Sequence, residues 1–399
     1  MTSFLSTAPS TTTSRKFRTY LSLMKLTISK TSLLTALSGV IGIISPRTTL
    51  PILTNILFVA KASKLQLTAS NLDCSVSRTV EAEIREDGAF TLPGRRVLSI
   101  VRELEHGDIS IEVEKGTAKI RSGASRFSIN GLPAEEFPTT EHVKGGTPLV
   151  LGAAELRAAI ERTLFAASTD ETRYVLNGVL FDFNPDGISI VGTDGRRLSL
   201  ATIKTPSIVT TPGFILATKG AELLIGVLDG VTGDVVLQFN DAGGEFILPN
   251  ASLTVKFVEG TYPNYRAVIP NLATKDAVVN TADFIASLAR VALMGSADRN
   301  GCVDVDLSPG KITLRCVTDS VGEALETVSA EYTGPALTVS FNPDYLLAPL
   351  RLIKTEKVAL GFINATSPMI IREPFVHVIM PRQNVPTATP AAKPVKVAA

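Results

Sequence analysis

Thr193-Asp194-Gly195-Arg196-Arg197-Leu198 gathers a carboxylate, a glycine and two guanidinium groups at the end of a β-rich run. As an active centre, this cluster would use Asp194 as general base or metal ligand and the arginines as an anion clamp. Neither role works alone, because proton transfer needs a partner group, and no His, Cys or second acid stands close by in the sequence. Asp-Gly is also a strong hairpin signal between two strands, here Ile188-Ser-Ile-Val and Leu198-Ser-Leu-Ala. The segment reads as a turn in preference to a catalytic centre.

The remaining chemistry is sparse. His106 and His142 lie in polar, turn-like surroundings, and His377 alternates within Phe375-Val-His-Val-Ile-Met; none has a nucleophile beside it. Cys74, Cys302 and Cys316 lack metal-ligand spacing and read as small, buried or half-buried thiols. No phosphate-cradling G-x-x-x-x-G-K-[ST] and no G-x-G-x-x-G following a strand is present; Lys144-Gly-Gly-Thr reads as linker and Ala242-Gly-Gly-Glu as a hairpin turn. The expectation is a protein without catalytic residues, metal or cofactor.

Charge is balanced, with 39 basic and 38 acidic residues. Basic residues nonetheless recur on predicted helices: Arg95, Arg96 and Arg102, then Arg157 and Arg162, then Lys219, Arg290, Arg351 and Lys354. Two readings stand side by side, a solvated helix face and a common surface that meets a phosphate backbone.

The elements that must hold these residues come in threes. A strand runs into a helix at Phe90-Thr-Leu-Pro-Gly-Arg-Arg-Val-Leu, at Phe214-Ile-Leu-Ala-Thr-Lys-Gly-Ala and at Thr338-Val-Ser-Phe-Asn-Pro-Asp-Tyr, 124 residues apart each time. Three further strand-to-helix passages, Leu26 to Leu37, Leu149 to Ile160 and Val278 to Leu288, open the units. A chain of 399 residues is too long for one core and fits three such domains. No apolar run is long enough to cross a bilayer, so the reading is of a soluble, core-forming protein with no membrane partner. Residues 1–23, rich in Ser and Thr and without acids, read as lying outside the fold: a disordered extension, an over-extended start or a transit peptide. Residues 384–399 have the Pro, Ala and Lys composition of a disordered tail.

From Met24 to about Gln383 the chain resembles the bacterial sliding clamps, the beta subunits of DNA polymerase III. The resemblance rests on Arg47-Thr-Thr-Leu-Pro-Ile-Leu-Thr-Asn, Ser125-Arg-Phe-Ser-Ile-Asn-Gly-Leu-Pro, Arg173-Tyr-Val-Leu-Asn-Gly-Val-Leu-Phe, Thr193-Asp-Gly-Arg-Arg-Leu, Phe257-Val-Glu-Gly-Thr-Tyr-Pro-Asn-Tyr-Arg and Val378-Ile-Met-Pro, in that order. It implies an α+β fold of three repeated DNA-clamp domains, at 24–146, 147–271 and 272–383. Each domain would carry two helices on antiparallel sheets, and two chains would dimerise into a six-domain ring. The implied function is non-catalytic: the homodimer encircles double-stranded DNA independently of sequence, in the nucleoid of the cytoplasm, and confers processivity on the polymerase. A clamp-like scaffold that binds protein without encircling DNA is the alternative.

Carried over by position, the resemblance assigns Arg47, Arg95, Arg96, Arg102, Arg173, Tyr174 and Lys219 to the DNA-facing set. Thr218 and Val175 depart from the family pattern there. A pocket for short peptides of the polymerase catalytic subunit, the clamp loader and repair proteins is implied at Leu176, Thr193, Gly195, Arg196, Arg197, Leu198, Pro263, Val268, Tyr345, Pro368, Val378, Met380 and Arg382. The leucines, valines and Met380 would form an apolar floor, with Arg196 and Arg197 on the rim. The implied dimer seam joins domain one to domain three of the partner through Arg96, Arg126, Phe127, Leu293, Met294, Glu323 and Glu326.

Overall fold

The structure is a computed structural model and describes residues 23–45, 48–105, 107–138, 143, 148–205, 213–271, 275–295, 301–318 and 322–382. The extension before Leu23 and the tail after Arg382 lie outside the described residues, as do Arg47, His106 and His142. The described residues fall into two compact units, divided between positions 140 and 141.

In the first unit, helix α1 (Lys30–Val40) begins where the Ser29 side chain accepts from the Ser32 amide, and it buries Leu33, Ala36, Leu37 and Val40. Helix α2 (Gly94–Glu103) packs against α1 and buries Val97, Leu98 and Val101, which leaves Arg95, Arg96 and Arg102 on the opposite, exposed face. Gly94 lets the start of α2 come close to Ile44 and to Ile56 of the strand Asn55–Lys61: a Cβ there would come within 2.7 Å of Ile44 and 2.9 Å of Ile56. The Lys30 ammonium donates to the carbonyls of Arg102 (3.0 Å) and Leu104, supplying partners and a positive charge where α2 leaves its last carbonyls unpaired. Around the helices stand two antiparallel sheets. One runs Glu83–Glu86, Met24–Ser29, Asp108–Glu114, Thr117–Ser122, Ser125–Asn130 in spatial order. The other places Asn55–Lys61 between Lys64–Ser70 and Gly88–Pro93.

The second unit repeats the plan twice. Helices α3 (Ala153–Leu164) and α4 (Thr218–Leu228) pack together, as do α5 (Thr281–Gly295) and α6 (Pro343–Leu350). Helix α4 starts 124 residues after α2, the spacing read from the sequence, and α6 starts one residue beyond that spacing, behind an Asn342 cap whose side chain accepts from the Asp344 amide. The turn expected at Ala242-Gly-Gly-Glu starts two residues earlier, at Asn240, whose Oδ1 accepts from the amides of Ala242 and Gly243. Gly243 and Gly244 belong to the next strand, where a Cβ would collide with the Val255 carbonyl and the Phe257 ring.

Among the described residues, the two repeats of this unit join through a long-range strand pairing. The last strand, Val376–Ile379, lies antiparallel to Arg197–Ile203, with Arg197 opposite Ile379, Leu198 opposite Val378 and Ser199 opposite His377. The third repeat thereby lends its C-terminal strand to the sheet of the second. The Met380 amide extends the ladder by donating to the Arg196 carbonyl at 2.9 Å.

Candidate functional site

The acid and arginines of residues 193–198 form a closed hairpin turn. Asp194 Oδ1 accepts from the amides of Arg196 (2.9 Å) and Arg197 (3.0 Å), and its Oδ2 meets Arg197 Nε at 3.1 Å. The Thr193 hydroxyl accepts from the Gly195 amide and donates to the Arg197 carbonyl, and Gly195 takes φ +84°, a region that favours glycine. Every strong acceptor of Asp194 is committed to this turn, which leaves it shaped for architecture and not for proton transfer. Arg197 turns inward, its guanidinium 4.5 Å from the Tyr345 ring centroid and 5.7 Å from that of Phe165. Arg196 stays exposed.

The turn forms one wall of a cleft of about 140 Å³ lined by Leu176, Thr193, Gly195, Arg196, Arg197, Leu198, Pro263, Asn264, Tyr265, Val268, Val378 and Met380. Its floor belongs to the core: Leu198 and Val378, paired across the joining strands, pack with Val191, Tyr265 and Ile370. Two apolar groups at the mouth stay open to solvent, Val268 at 50% exposure and Met380 at 44%. Apolar floor, apolar lips and one free guanidinium suit an anchor of the Leu or Phe kind that carries a carboxylate or carbonyl beside it.

Ten of the thirteen residues expected around a pocket are brought together here. Tyr345, Pro368 and Arg382 are not in the lining. Tyr345 acts behind it as the platform for Arg197, Pro368 is half-buried just before the strand Met369–Ile371, and the Arg382 amide donates to the Ser340 carbonyl at 2.7 Å. Asn264 and Tyr265, which line the cleft, were not among the expected residues. Tyr265 is locked by Asp182, whose Oδ2 accepts from the Tyr265 hydroxyl (2.6 Å) and from Arg266 (2.7 Å); burial first, then this hydrogen bond, push the phenol up to about 12. Their signal was adjacency to Pro263 in Tyr262-Pro-Asn-Tyr-Arg.

The basic residues divide by partner. Arg157 pairs with Glu161 (3.0 Å) and Asp229 (2.7 Å), and Arg290 with Glu326 (2.6 Å), so the charges of these helix cations are already countered within the chain. On α2, Arg96 and Arg102 project into solvent, while Arg95 donates to the Ile44 carbonyl at 2.9 Å. Among the described residues, Lys219 pairs with Glu222 alone, at 3.5 Å and in solvent. Arg173 and Tyr174 sit together in the 3₁₀ turn Glu171–Leu176, with Tyr174 59% exposed.

Three family models match the chain in order: the N-terminal domain of the DNA polymerase III beta subunit over residues 24–141, the central domain over 150–264 and the C-terminal domain over 266–383. The chain belongs to the DNA polymerase III beta subunit family. It is 33% identical over 370 residues to the beta sliding clamp of Caulobacter vibrioides, covering 90% of this chain and 99% of that one, and 32% identical over 371 residues to that of Pseudomonas aeruginosa, with the same coverage. Among solved structures, the Caulobacter crescentus beta sliding clamp superposes with a TM-score of 0.86 at 32% identity, over 91% of this chain and 100% of that chain. The DNA polymerase III subunit beta of Bartonella birtlesii, bound to griselimycin, gives 0.87 at 31% identity over 90% and 100%.

In this beta-subunit chain four of the residues expected at a dimer seam, Arg126, Phe127, Glu323 and Glu326, lie on outer stretches of strand, and the other three, Arg96, Leu293 and Met294, lie on helices. Arg126 and Phe127 are on Ser125–Asn130, the outer strand of its sheet, with Phe127 38% exposed. Arg96, also expected there, is on α2. In the second unit Leu293 and Met294 close α5, beside the strand Gly322–Glu331 that carries Glu323 and Glu326. Both acids are held by their own chain, Glu323 by Arg315 at 2.9 Å and Glu326 by Arg290, which draws the Glu326 carboxyl below its usual range.

Proposed function

We propose that this chain is a sliding DNA clamp: two copies join head to tail into a six-domain ring that encircles duplex DNA and tethers the replicative polymerase, conferring processivity without catalysis. The observation that carries this reading is the ordered match of all three beta-subunit domains, with an apolar cleft where the last strand of the third repeat joins the sheet of the second. The proposed domains are 24–146, 147–271 and 272–383. Arg47, Arg95, Arg96, Arg102, Arg173, Tyr174 and Lys219 would meet the sugar-phosphate backbone through weak, salt-sensitive contacts, which let a ring slide and carry no base preference. The cleft would take short peptides from the polymerase catalytic subunit, the clamp loader and repair proteins, on the DNA of the cytoplasmic nucleoid. Among the described residues no helix is long and apolar enough to cross a membrane.

Light scattering over a dilution series tests the ring. A mass near twice the 42.3 kDa of the chain supports it; a monomer at every concentration overturns encirclement and leaves a peptide-binding scaffold. Loading by the clamp loader onto nicked circular DNA then gives a complex that dissociates when the circle is linearised.

A further inference from the structure

The 3₁₀ turn Glu171–Leu176 meets the cleft at one lining residue and braces two of the segments that carry its other walls. Leu176 lines it. Val175 and Tyr174 press on Gly260, where a Cβ would come within 2.7 Å of Val175 and 3.5 Å of the Tyr174 hydroxyl, just ahead of the lining residue Pro263. Arg173 breaks the helical run at φ −107°, ψ 52°, and its Nη1 donates to the Asp194 carbonyl at 3.2 Å, over the notch left by Gly195, whose Cβ would lie 3.4 Å from that nitrogen.

We infer that Arg173 is a positioning residue that couples duplex binding to the cleft: a backbone phosphate that captures its guanidinium withdraws it from the Asp194 carbonyl and loosens the wall on which a partner peptide rests. The inference rests on the clamp reading above and assigns a linkage between its two surfaces. The energies allow the exchange. Arg173 is half exposed, its carbonyl bond is single, and Asp170 holds it at only 3.7 Å in solvent, an attraction worth little. A phosphate offers a full charge and the bidentate geometry a guanidinium fork matches. Asp170 itself is occupied as the cap of the turn, accepting from the Thr172 amide and hydroxyl, bonds that hold its carboxyl below the usual range. By reciprocity, whatever the duplex costs the peptide, the peptide costs the duplex.

The test uses the full chain, a blunt duplex oligonucleotide at low salt and a short fluorescein-labelled peptide carrying a Leu-Phe pair and one carboxylate, read by anisotropy. In the unmodified chain, saturating duplex weakens peptide binding about five-fold, the equivalent of one hydrogen bond, and saturating peptide weakens duplex binding by the same factor. Arg173→Ala binds peptide about five-fold more weakly without DNA, and duplex has no further effect. Asp170→Asn keeps both the cap and Arg173 and retains the linkage. Saturating peptide also lowers the salt slope of duplex binding by about one, a readout that simple loss of structure would not give. Duplex and peptide binding independently in the unmodified chain, or a shift that persists in Arg173→Ala, overturns the linkage alone. Failure of the unmodified chain to bind duplex at all overturns the clamp reading with it.

Discussion

The guanidinium of Arg197 stacks 4.5 Å from the ring centroid of Tyr345, joining a hairpin turn of the second repeat to helix α6 of the third. The same side chain is 15% exposed and ion-paired with an equally buried Asp194. A cation lodged between an aromatic face and a carboxylate fixes the angle of the cleft wall, whereas the neighbouring Arg196 is left to meet a ligand.

Exchanging these arginines separates strut from rim. Lysine cannot stack a planar fork on Tyr345 while reaching Asp194, so Arg197→Lys is expected to cost about 1–2 kcal/mol in urea unfolding. Arg196→Ala stays within about 0.5 kcal/mol of the parent, yet weakens binding of a carboxylate-bearing peptide. An unchanged urea midpoint for Arg197→Lys would refute the strut.

His377 predicts an acid-sensitive junction. It is fully buried in the joining strand, 5.4 Å from the Phe165 ring and 6.5 Å from that of Phe375. Burial first, and then the positive charge of Arg197, lower it from 6.5 to about 3, against a weak opposing contact with the Tyr345 backbone. The folded state therefore refuses a proton that the unfolded chain accepts below pH 6.5. Stability from this residue is complete above pH 6.5 and drains as pH falls toward 3, by about 2 kcal/mol between pH 6.5 and 5. His377→Leu should flatten that segment of the stability-pH curve; an identical slope in the variant would assign the acid sensitivity elsewhere.

The hairpin joining Asn55–Lys61 to Lys64–Ser70 turns through Ala62 (φ 50°) and Ser63 (φ 61°), two residues with a Cβ in the left-handed region. Such a turn favours Asn-Gly, which takes positive φ at lower cost. Replacing Ala62 by Asn and Ser63 by Gly is expected to stabilise the first unit by about 1 kcal/mol. Calorimetry on the double variant decides it, since a lowered transition temperature would mean that the turn is not strained.

Local pattern carried most of the fold. The apolar stripe Val97, Leu98, Val101 predicts α2, and the 124-residue spacing places α4, because helix period and repeat length are written in consecutive residues. The pairing of Arg197 with Ile379 had no such signal, since it depends on where the chain returns after the third repeat. The candidate site followed the same division. Leu198 and Val378 were nameable from family motifs, but Tyr265 enters the lining because Asp182, 83 positions earlier, holds its hydroxyl. Arg197 reads as a rim residue by type alone, and only its ion pair with Asp194 and its seat on Tyr345 turn it inward.

The edge strand Ser125–Asn130 explains how one seam can be selected over others. Arg126 lies directly opposite Arg121 on the neighbouring strand, and like charges so placed repel. Two copies of this edge would double that repulsion, which disfavours symmetric edge-to-edge pairing and aggregation. The strand Gly322–Glu331, open on one side ahead of Ala330, has the opposite character: it bears Glu323 and Glu326, and with the exposed Leu325 and Leu293 it would offer apolar cover to a partner's Phe127. Since both acids are already paired with Arg315 and Arg290, ions at a seam would exchange partners with little net gain, and apolar contact at Phe127 would carry the affinity. Phe127→Asp should therefore reduce the light-scattering mass from about twice 42.3 kDa to a single chain, with the thermal unfolding of each chain little changed because Phe127 lies outside the core. Arg126→Ala should leave the dimer mass in place and chiefly slow association at low salt. If the charge variant dissolves the dimer and the Phe127 variant does not, the seam is held by ion pairs and this ordering of forces is wrong.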